Sequence, residues 1–156
     1  MSLFDEIISQ SLIIILGSPF IFWIYSKDIK WFYVGMFVYI PLQFHSLIKI
    51  FSKNYNYDFL KRPIGAANCD LLSRNGNQEG KPGFPSGHMT STVSFITSVY
   101  LLFPEYRSLC INFGIIYTIL MAWSRMHKKC HTLIQVIAGC ILGLLSPIVL
   151  KNLFIK

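Results

Sequence analysis

Charge is what this sequence has least of. Only 13% of its 156 residues are Asp, Glu, Lys or Arg, about half the share of an average soluble domain. Acidic residues are the scarcer sign, 7 against 14 basic ones, which leaves a formal net charge of +7. A chain of this length cannot bury its 53% of hydrophobic residues and still cover itself with polar surface. That excludes an ordinary soluble domain, and the hydrophobicity equally excludes a disordered chain. Cysteine is sparse as well. Cys69, Cys110, Cys130 and Cys140 follow no metal-binding or redox spacing, which argues against a disulfide-built secreted module. Internal repeats and low-complexity tracts are absent from the sequence.

What is present is a series of apolar runs, with a mean hydropathy of +0.51. They extend from about Ile7 to Tyr25, Trp31 to Phe51, Met89 to Phe103, Leu109 to Trp123 and Thr132 to Leu150. A bilayer core takes roughly 20 helical residues, so the shorter runs must recruit flanking residues or be shielded by their neighbours. We expect an all-α, polytopic transmembrane bundle of about five helices, one integral-membrane domain over residues 1–156. The first run does not read as a cleavable leader: Asp5 and Glu6 precede it and no small-x-small site follows. We expect a retained helix there. Gly139-x3-Gly143 in the last run suits close helix packing.

Five crossings place the N-terminus, residues 52–88 and residues 124–131 on one face, side A. The gaps at Lys27–Lys30 and Pro104–Ser108 and the C-terminal tail fall on side B. The positive residues occupy these gaps rather than forming a stripe interleaved with aromatics, so head groups or a phosphorylated substrate fit them better than nucleic acid. Counting Lys and Arg gives side A Lys53, Lys61, Arg62, Arg74, Lys81, Arg125, Lys128 and Lys129. Side B has Lys27, Lys30, Arg107, Lys151 and Lys156. Taken alone, the count puts side A in the cytoplasm. It stops reporting orientation if those cations serve a phosphate site.

Three pieces of side A carry chemistry: Lys61-Arg62-Pro63, Gly83-Phe84-Pro85-Ser86-Gly87-His88, and Ser124-Arg125 through to His131. In the second, Ser86 is a suitable N-cap, so the amides near Gly87 and His88 point outward and attract an anion. Gly87 allows close approach, and His88 can exchange a proton near neutral pH. In isolation, a capped helix start with an interfacial histidine would look the same. In the third piece, Arg125 offers a planar fork for phosphate oxygens. His131 opens the last helix with Gln135 one turn on, where the Gln135 Oε1 can hold the Nδ1 proton and leave Nε2 as a nucleophile. A basic loop anchoring to head groups is the plainer alternative.

Zinc is a further alternative, because His127 and His131 are spaced i, i+4 with His88 on the same side. No carboxylate or cysteine stands at a fourth position, and Arg125, Lys128 and Lys129 would repel a cation, so we expect no metal and no cofactor. His45 reads as a satisfied structural histidine, and Cys110 and Cys140 as small hydrophobes. Cys69 and Cys130 lie in polar gaps. A lumenal or extracellular disulfide is one alternative there, and free thiols are our expectation.

Taken in order, Arg62-Pro63, Pro85-Ser86-Gly87-His88 and Ser124-Arg125 with His131 resemble the three-part signature of the type 2 phosphatidic acid phosphatase superfamily, membrane lipid phosphatases related to vanadium haloperoxidases. The resemblance spans about residues 53–143. Two positions depart from the family pattern. Its lysine seven residues before the arginine is Tyr55 here, which leaves Lys53 or Lys61 to supply that charge. Its aspartate four residues after the last histidine is Gln135. The run His131-Thr132-x2-Gln135-Val136-x2-Gly139 is similar to the dolichyl-diphosphatase branch, although Pro-Ser-Gly-His stands where that branch has Pro-Ser-Ser-His.

The resemblance implies a metal-independent hydrolase that removes a phosphate from a lipid phosphate or diphosphate, a polyprenyl diphosphate above all, through a phosphohistidine. His131 would be the nucleophile, His88 the acid and base, and Gln135 the orienting group. Arg62, Arg125, Ser86, Gly87, Lys61 and Lys53 would hold the phosphate. A phosphatidic acid or other phospholipid phosphatase, an inactive lipid-phosphate-binding relative, and a structural or anion-conducting membrane protein remain as alternatives. The family pattern also implies an active site facing the lumen or periplasm, in the endoplasmic reticulum, another endomembrane or a bacterial inner membrane.

Overall fold

The computed structural model describes residues 3–72 and 75–155; Arg74 and Lys156, two of the cations counted above, lie outside them. The chain is helical. Among the described residues the only extended pairing is two isolated bridges, Lys61 with Pro82 and Ala67 with Asn77. The helices are α1 (Leu3–Gln10), α2 (Leu12–Ser26), α3 (Ile29–Ser52), α4 (Gly87–Leu102), α5 (Arg107–Leu109), α6 (Ile115–His127) and α7 (Leu133–Phe154).

Local chemistry sets the boundaries. α2 closes on Lys27 in the left-handed region (φ 57°), its N–H returning to the Trp23 carbonyl. Asp28 then caps α3 by accepting from the Lys30 N–H at 2.9 Å, so two residues turn the chain around. Thr132 and Gln135 form a reciprocal capping box at the start of α7. The gap expected at Pro104–Ser108 is helical. A 3-10 turn at Pro104–Tyr106, α5 and a π-helical turn at Cys110–Gly114 run straight into α6.

Four helical runs are long and apolar enough to cross a membrane: Leu3–Ser26, Ile29–Ser52, Pro104–His127 and Leu133–Phe154. The fifth helix, α4, has 16 residues and is about 24 Å long at 1.5 Å per residue. It is the central helix, packed against α3 and α7 and touching α2 and α6. Its burial explains its composition. Thr90, Ser91, Thr92, Ser94 and Ser98 are all shielded, small side chains that let neighbouring backbones approach. Large aliphatics on the other helices, Ile14, Ile119 and Leu145 among them, face outward, as a bilayer solvent requires.

The closest approach is α7 on α4. A Cβ on Gly143 would stand 2.6 Å from the Thr90 carbonyl oxygen, and one on Gly139 would meet the Ser86 carbonyl and the Met89 Cβ. The Gly139-x3-Gly143 pair thus brings the starts of α4 and α7 together. The N-terminal helix joins them at the same end. Asp5 pairs with His127 at 2.8 Å and Glu6 with Lys128 at 3.0 Å, so the elements assigned to side A do share one face.

Gly143→Ala and Gly139→Ala each force backbone apart and should cost about 1–3 kcal/mol of stability. Gly17→Ala, where a Cβ meets nothing within 4 Å, should be neutral or slightly stabilising. Thermal unfolding in detergent micelles measures all three, and unchanged midpoints for the α7 variants would refute this account of the packing.

Candidate active site

The segment between α3 and α4 folds over the helix ends through its own backbone. Arg62 N–H donates to the Lys81 carbonyl at 2.8 Å, Gly83 N–H to the Leu60 carbonyl at 2.7 Å, and Gln78 N–H to the Ala66 carbonyl at 2.8 Å. Cys69 and Cys130 are joined by a disulfide across a sequence separation of 61, which corrects the expectation of free thiols. The sequence places both in polar gaps on one face; the fold brings the segment against the turn between α6 and α7, where the bond forms. Cys110 and Cys140 are free.

The disulfide borders the site on both sides. Cys130 precedes His131, and the Cys69 carbonyl accepts from Arg125 Nη2 at 2.6 Å. Arg125 is completely buried; its other terminal nitrogen, Nη1, donates to Ser9 Oγ of α1. Arg62 is held in the same manner, Nη1 donating to Gln78 Oε1 at 2.6 Å and Nη2 to Asp70 Oδ1 at 2.9 Å. Each guanidinium therefore has both ends of its fork engaged, and each keeps a buried Nε with no hydrogen-bond partner. Burial works to raise the Asp70 pKa. The hydrogen bond from Gln78, then the Arg62 charge and hydrogen bond and that from Asn75, outweigh burial and hold it below the usual carboxylate range.

Ser86 occupies the N-cap position of α4, yet its side chain caps nothing. Its Oγ is buried without a partner, like the two arginine Nε groups, which corrects the sequence expectation of a serine cap. The first amides of α4 remain open in consequence. Gly87 also proves to be needed for a different reason: a Cβ there would strike the His45 ring at 2.8 Å. His45 is buried, as a structural histidine should be, with the Leu42 and Pro85 carbonyls beside its ring.

His131 is buried, and its Nδ1 lies 3.1 Å from Gln135 Oε1. The orientation of that amide is over-determined. Gln135 Nε2 donates to the Phe59 carbonyl at 2.9 Å and the Lys61 carbonyl at 2.7 Å, while Oε1 also accepts from the Thr132 N–H at 3.3 Å. A flipped amide would set donors against a donor and an acceptor against two acceptors. Oε1 can only accept, so Nδ1 carries the proton and Nε2 keeps its lone pair. Burial first, then the charges of Arg125, Lys49 and Arg62, push the His131 pKa well below the ordinary histidine range; the Gln135 hydrogen bond opposes this in part.

Of the residues singled out from sequence, Arg62, Ser86, Gly87, His88, Arg125, His131 and Gln135 gather here. Lys61 and Lys53 do not. The Lys61 ammonium donates to Asn56 Oδ1 and stands 3.7 Å from Asp58. Both lysines line a separate polar cavity of about 200 Å³ beside the end of α3. His127 pairs with Asp5 and stacks on Trp123. Among the described residues no three His, Cys, Asp or Glu side chains converge in a metal-like group. Ser9, Lys49, Asp70 and Gln78 have no signal in the sequence: Ser9 enters through Arg125, Asp70 and Gln78 through Arg62, and Lys49 through its charge. The Thr132-x2-Gln135 capping box was the one missed signal that sequence could have shown.

Residues 18–155 match the family model described as the PAP2 superfamily. Neither the curated proteins nor the solved structures returned a match.

Removing the disulfide releases a loop of about 60 residues and should cost about 4 kcal/mol by chain-entropy scaling. Thermal unfolding of wild type in reductant should fall to the midpoint of the Cys69→Ser/Cys130→Ser variant. That variant itself should not respond to reductant.

Proposed function

The chain belongs to the PAP2 superfamily, whose members are phosphatases acting on phosphate esters, often those of lipids, and from that premise we propose that it removes the terminal phosphate of a membrane lipid phosphate or diphosphate, with a polyprenyl diphosphate as the preferred substrate. One observation carries the proposal. Two buried guanidinium Nε groups and the Ser86 hydroxyl lack protein partners, at the open amides of α4 and beside a histidine whose Nε2 is left bare. A tetrahedral dianion supplies the acceptors that set requires.

In the proposed reaction His131 Nε2 attacks the terminal phosphorus while the bond to the lipid-side oxygen breaks, and His88 gives that oxygen a proton. Arg62 and Arg125 hold the non-bridging oxygens, over which charge spreads in a loose transition state. Water then attacks the phosphohistidine. His88 takes its proton, and inorganic phosphate and the free imidazole return. The chemistry routes no step through a metal ion. Lys49, whose charge reaches His131, serves as the additional cation in place of Lys53 and Lys61.

Gln135 has a structural reason to be glutamine. Its amide N–H groups satisfy the Phe59 and Lys61 carbonyls while Oε1 holds His131, and a carboxylate could not do both. The lipid tail stays in the bilayer. A disulfide persists in an oxidising compartment, which supports a lumenal or periplasmic face for the site, in an endomembrane or a bacterial inner membrane. The opposing charge count loses its force because Arg62, Arg125 and Lys128 are buried at the site.

Phosphate release from phosphatidic acid and polyprenyl mono- and diphosphates, with EDTA present, tests the proposal. Release should be fastest from a polyprenyl diphosphate and should vanish in His131→Ala. Turnover surviving that substitution, or abolished by EDTA, would refute the mechanism. Vanadate binding without turnover would mark an inactive lipid-phosphate binder. Gln135→Asp and Gln135→Glu should each lose at least about tenfold in kcat, since both leave two buried carbonyls without donors. Because His131 stays neutral well below its ordinary range, the acid limb of kcat/KM attributable to it should lie below pH 6.5.

A further inference from the structure

α1 lies upstream of the family-matched residues 18–155, yet it sends one side chain into the site. Ser9 is almost fully buried. Its Oγ accepts from Arg125 Nη1 and lies 3.4 Å from His88 Nε2. α1 is anchored around it at three points: Asp5 to His127, Glu6 to Lys128, and the Asp5 carbonyl, which accepts from Ser124 Oγ at 2.9 Å. Ser11, at the break between α1 and α2, meets Tyr117 Oη. The serine is thus set in place from both sides along the chain.

We infer that Ser9 is a positioning residue of the active site, which fixes one arm of Arg125 and assigns the two nitrogens of His88 to separate tasks. The inference rests on the phosphatase reaction proposed above. A hydroxyl oxygen has two lone pairs. One accepts from Arg125, a donor in every state, and the other is available to His88 Nε2–H. Among the described residues no hydrogen bond engages His88 Nδ1, so Nδ1 is the nitrogen that gives a proton to the leaving oxygen and later takes one from water. The proton on Nε2 stays directed at Ser9 throughout, just as the Nδ1 proton of His131 stays directed at Gln135. The balance requires His88 to enter the first step as the imidazolium, which the bound phosphate dianion favours: one proton leaves Nδ1 in that step and one returns from water in the second.

The same geometry explains why Arg125 presents Nε to the site. With Nη1 on Ser9 and Nη2 on the Cys69 carbonyl, the guanidinium cannot rotate its fork towards a ligand. Three cations face His88, Arg125 from α6, Lys128 from the following turn and Lys49 from α3, with His131 beside them. Ser9 is an uncharged acceptor at hydrogen-bonding distance from its Nε2.

The test uses the full chain in detergent with a short polyprenyl diphosphate. Ser9→Ala removes the hydroxyl, Ser9→Cys keeps its size with a much weaker acceptor, and Ser9→Thr keeps the oxygen. Ala and Cys should lower kcat about tenfold, with KM moving less, and should displace the pH profile of kcat/KM by about half a unit or more. Thr should restore most of both. If Ser9→Ala does not fold, the Cys and Thr pair gives the same comparison. Wild-type kcat and pH profile in folded Ser9→Cys would overturn the inference, as would equal losses in all three variants with an unmoved profile. Failure of the underlying phosphatase proposal shows separately, because wild type would then release no phosphate at all.

Discussion

A guanidinium sealed from solvent must find hydrogen-bond acceptors inside the protein or destabilise the fold, and Arg125 is sealed completely. Much of this architecture follows from that constraint. A serine from the first helix and a backbone carbonyl from the segment after α3 accept from it. Both acceptors are far away in sequence, so satisfying one side chain obliges three parts of the chain to meet. Arg62 repeats the solution with Gln78 and a half-exposed Asp70. Asp70 pairs with Arg62 at 2.9 Å, and Asp70 and Glu6 offset part of the charge around Arg125.

That charge sets the character of its neighbours. His131 is kept uncharged by the burial and cations that surround it, and its proton is confined to Nδ1 by an amide that cannot turn over. Chemistry of this kind depends on groups fixed before the ligand arrives. Here the fixing comes from second contacts: carbonyls of Phe59 and Lys61 on Gln135, Gln78 on Arg62, and glycines at 83, 87, 139 and 143 that leave room for side chains or backbone to close in.

Sequence was informative where function is written locally. The helix count and the shared face could be read from runs and short spacings, as could the segments in which Arg62, Ser86, His88, Arg125, His131 and Gln135 lie, because each segment is a run of neighbouring residues. It was silent where the fold decides. Nothing local pairs Cys69 with Cys130, brings Ser9 to Arg125, or turns Lys49 inward rather than Lys53. Ser86 shows the limit from the other direction: its position at the helix start was legible, but the direction of its hydroxyl was not. The glutamine that looked like a departure from an acidic pattern proves to be shaped by two carbonyls it alone can satisfy.

The disulfide also bears on how such a chain comes to maturity. Its two cysteines are 61 residues apart, with α4 and the α5–α6 run between them. The partner of Cys69 is synthesised only after both of those helices, and the bond can close only once the turn before α7 has reached the same face as the earlier segment. A nascent chain therefore contains Arg62 and His88 well before it contains His131. Until that last turn arrives and is stapled, the half-made molecule holds both arginine-bearing segments in no fixed relation to His131. On the proposed reaction, competence comes at the end of biogenesis rather than during it.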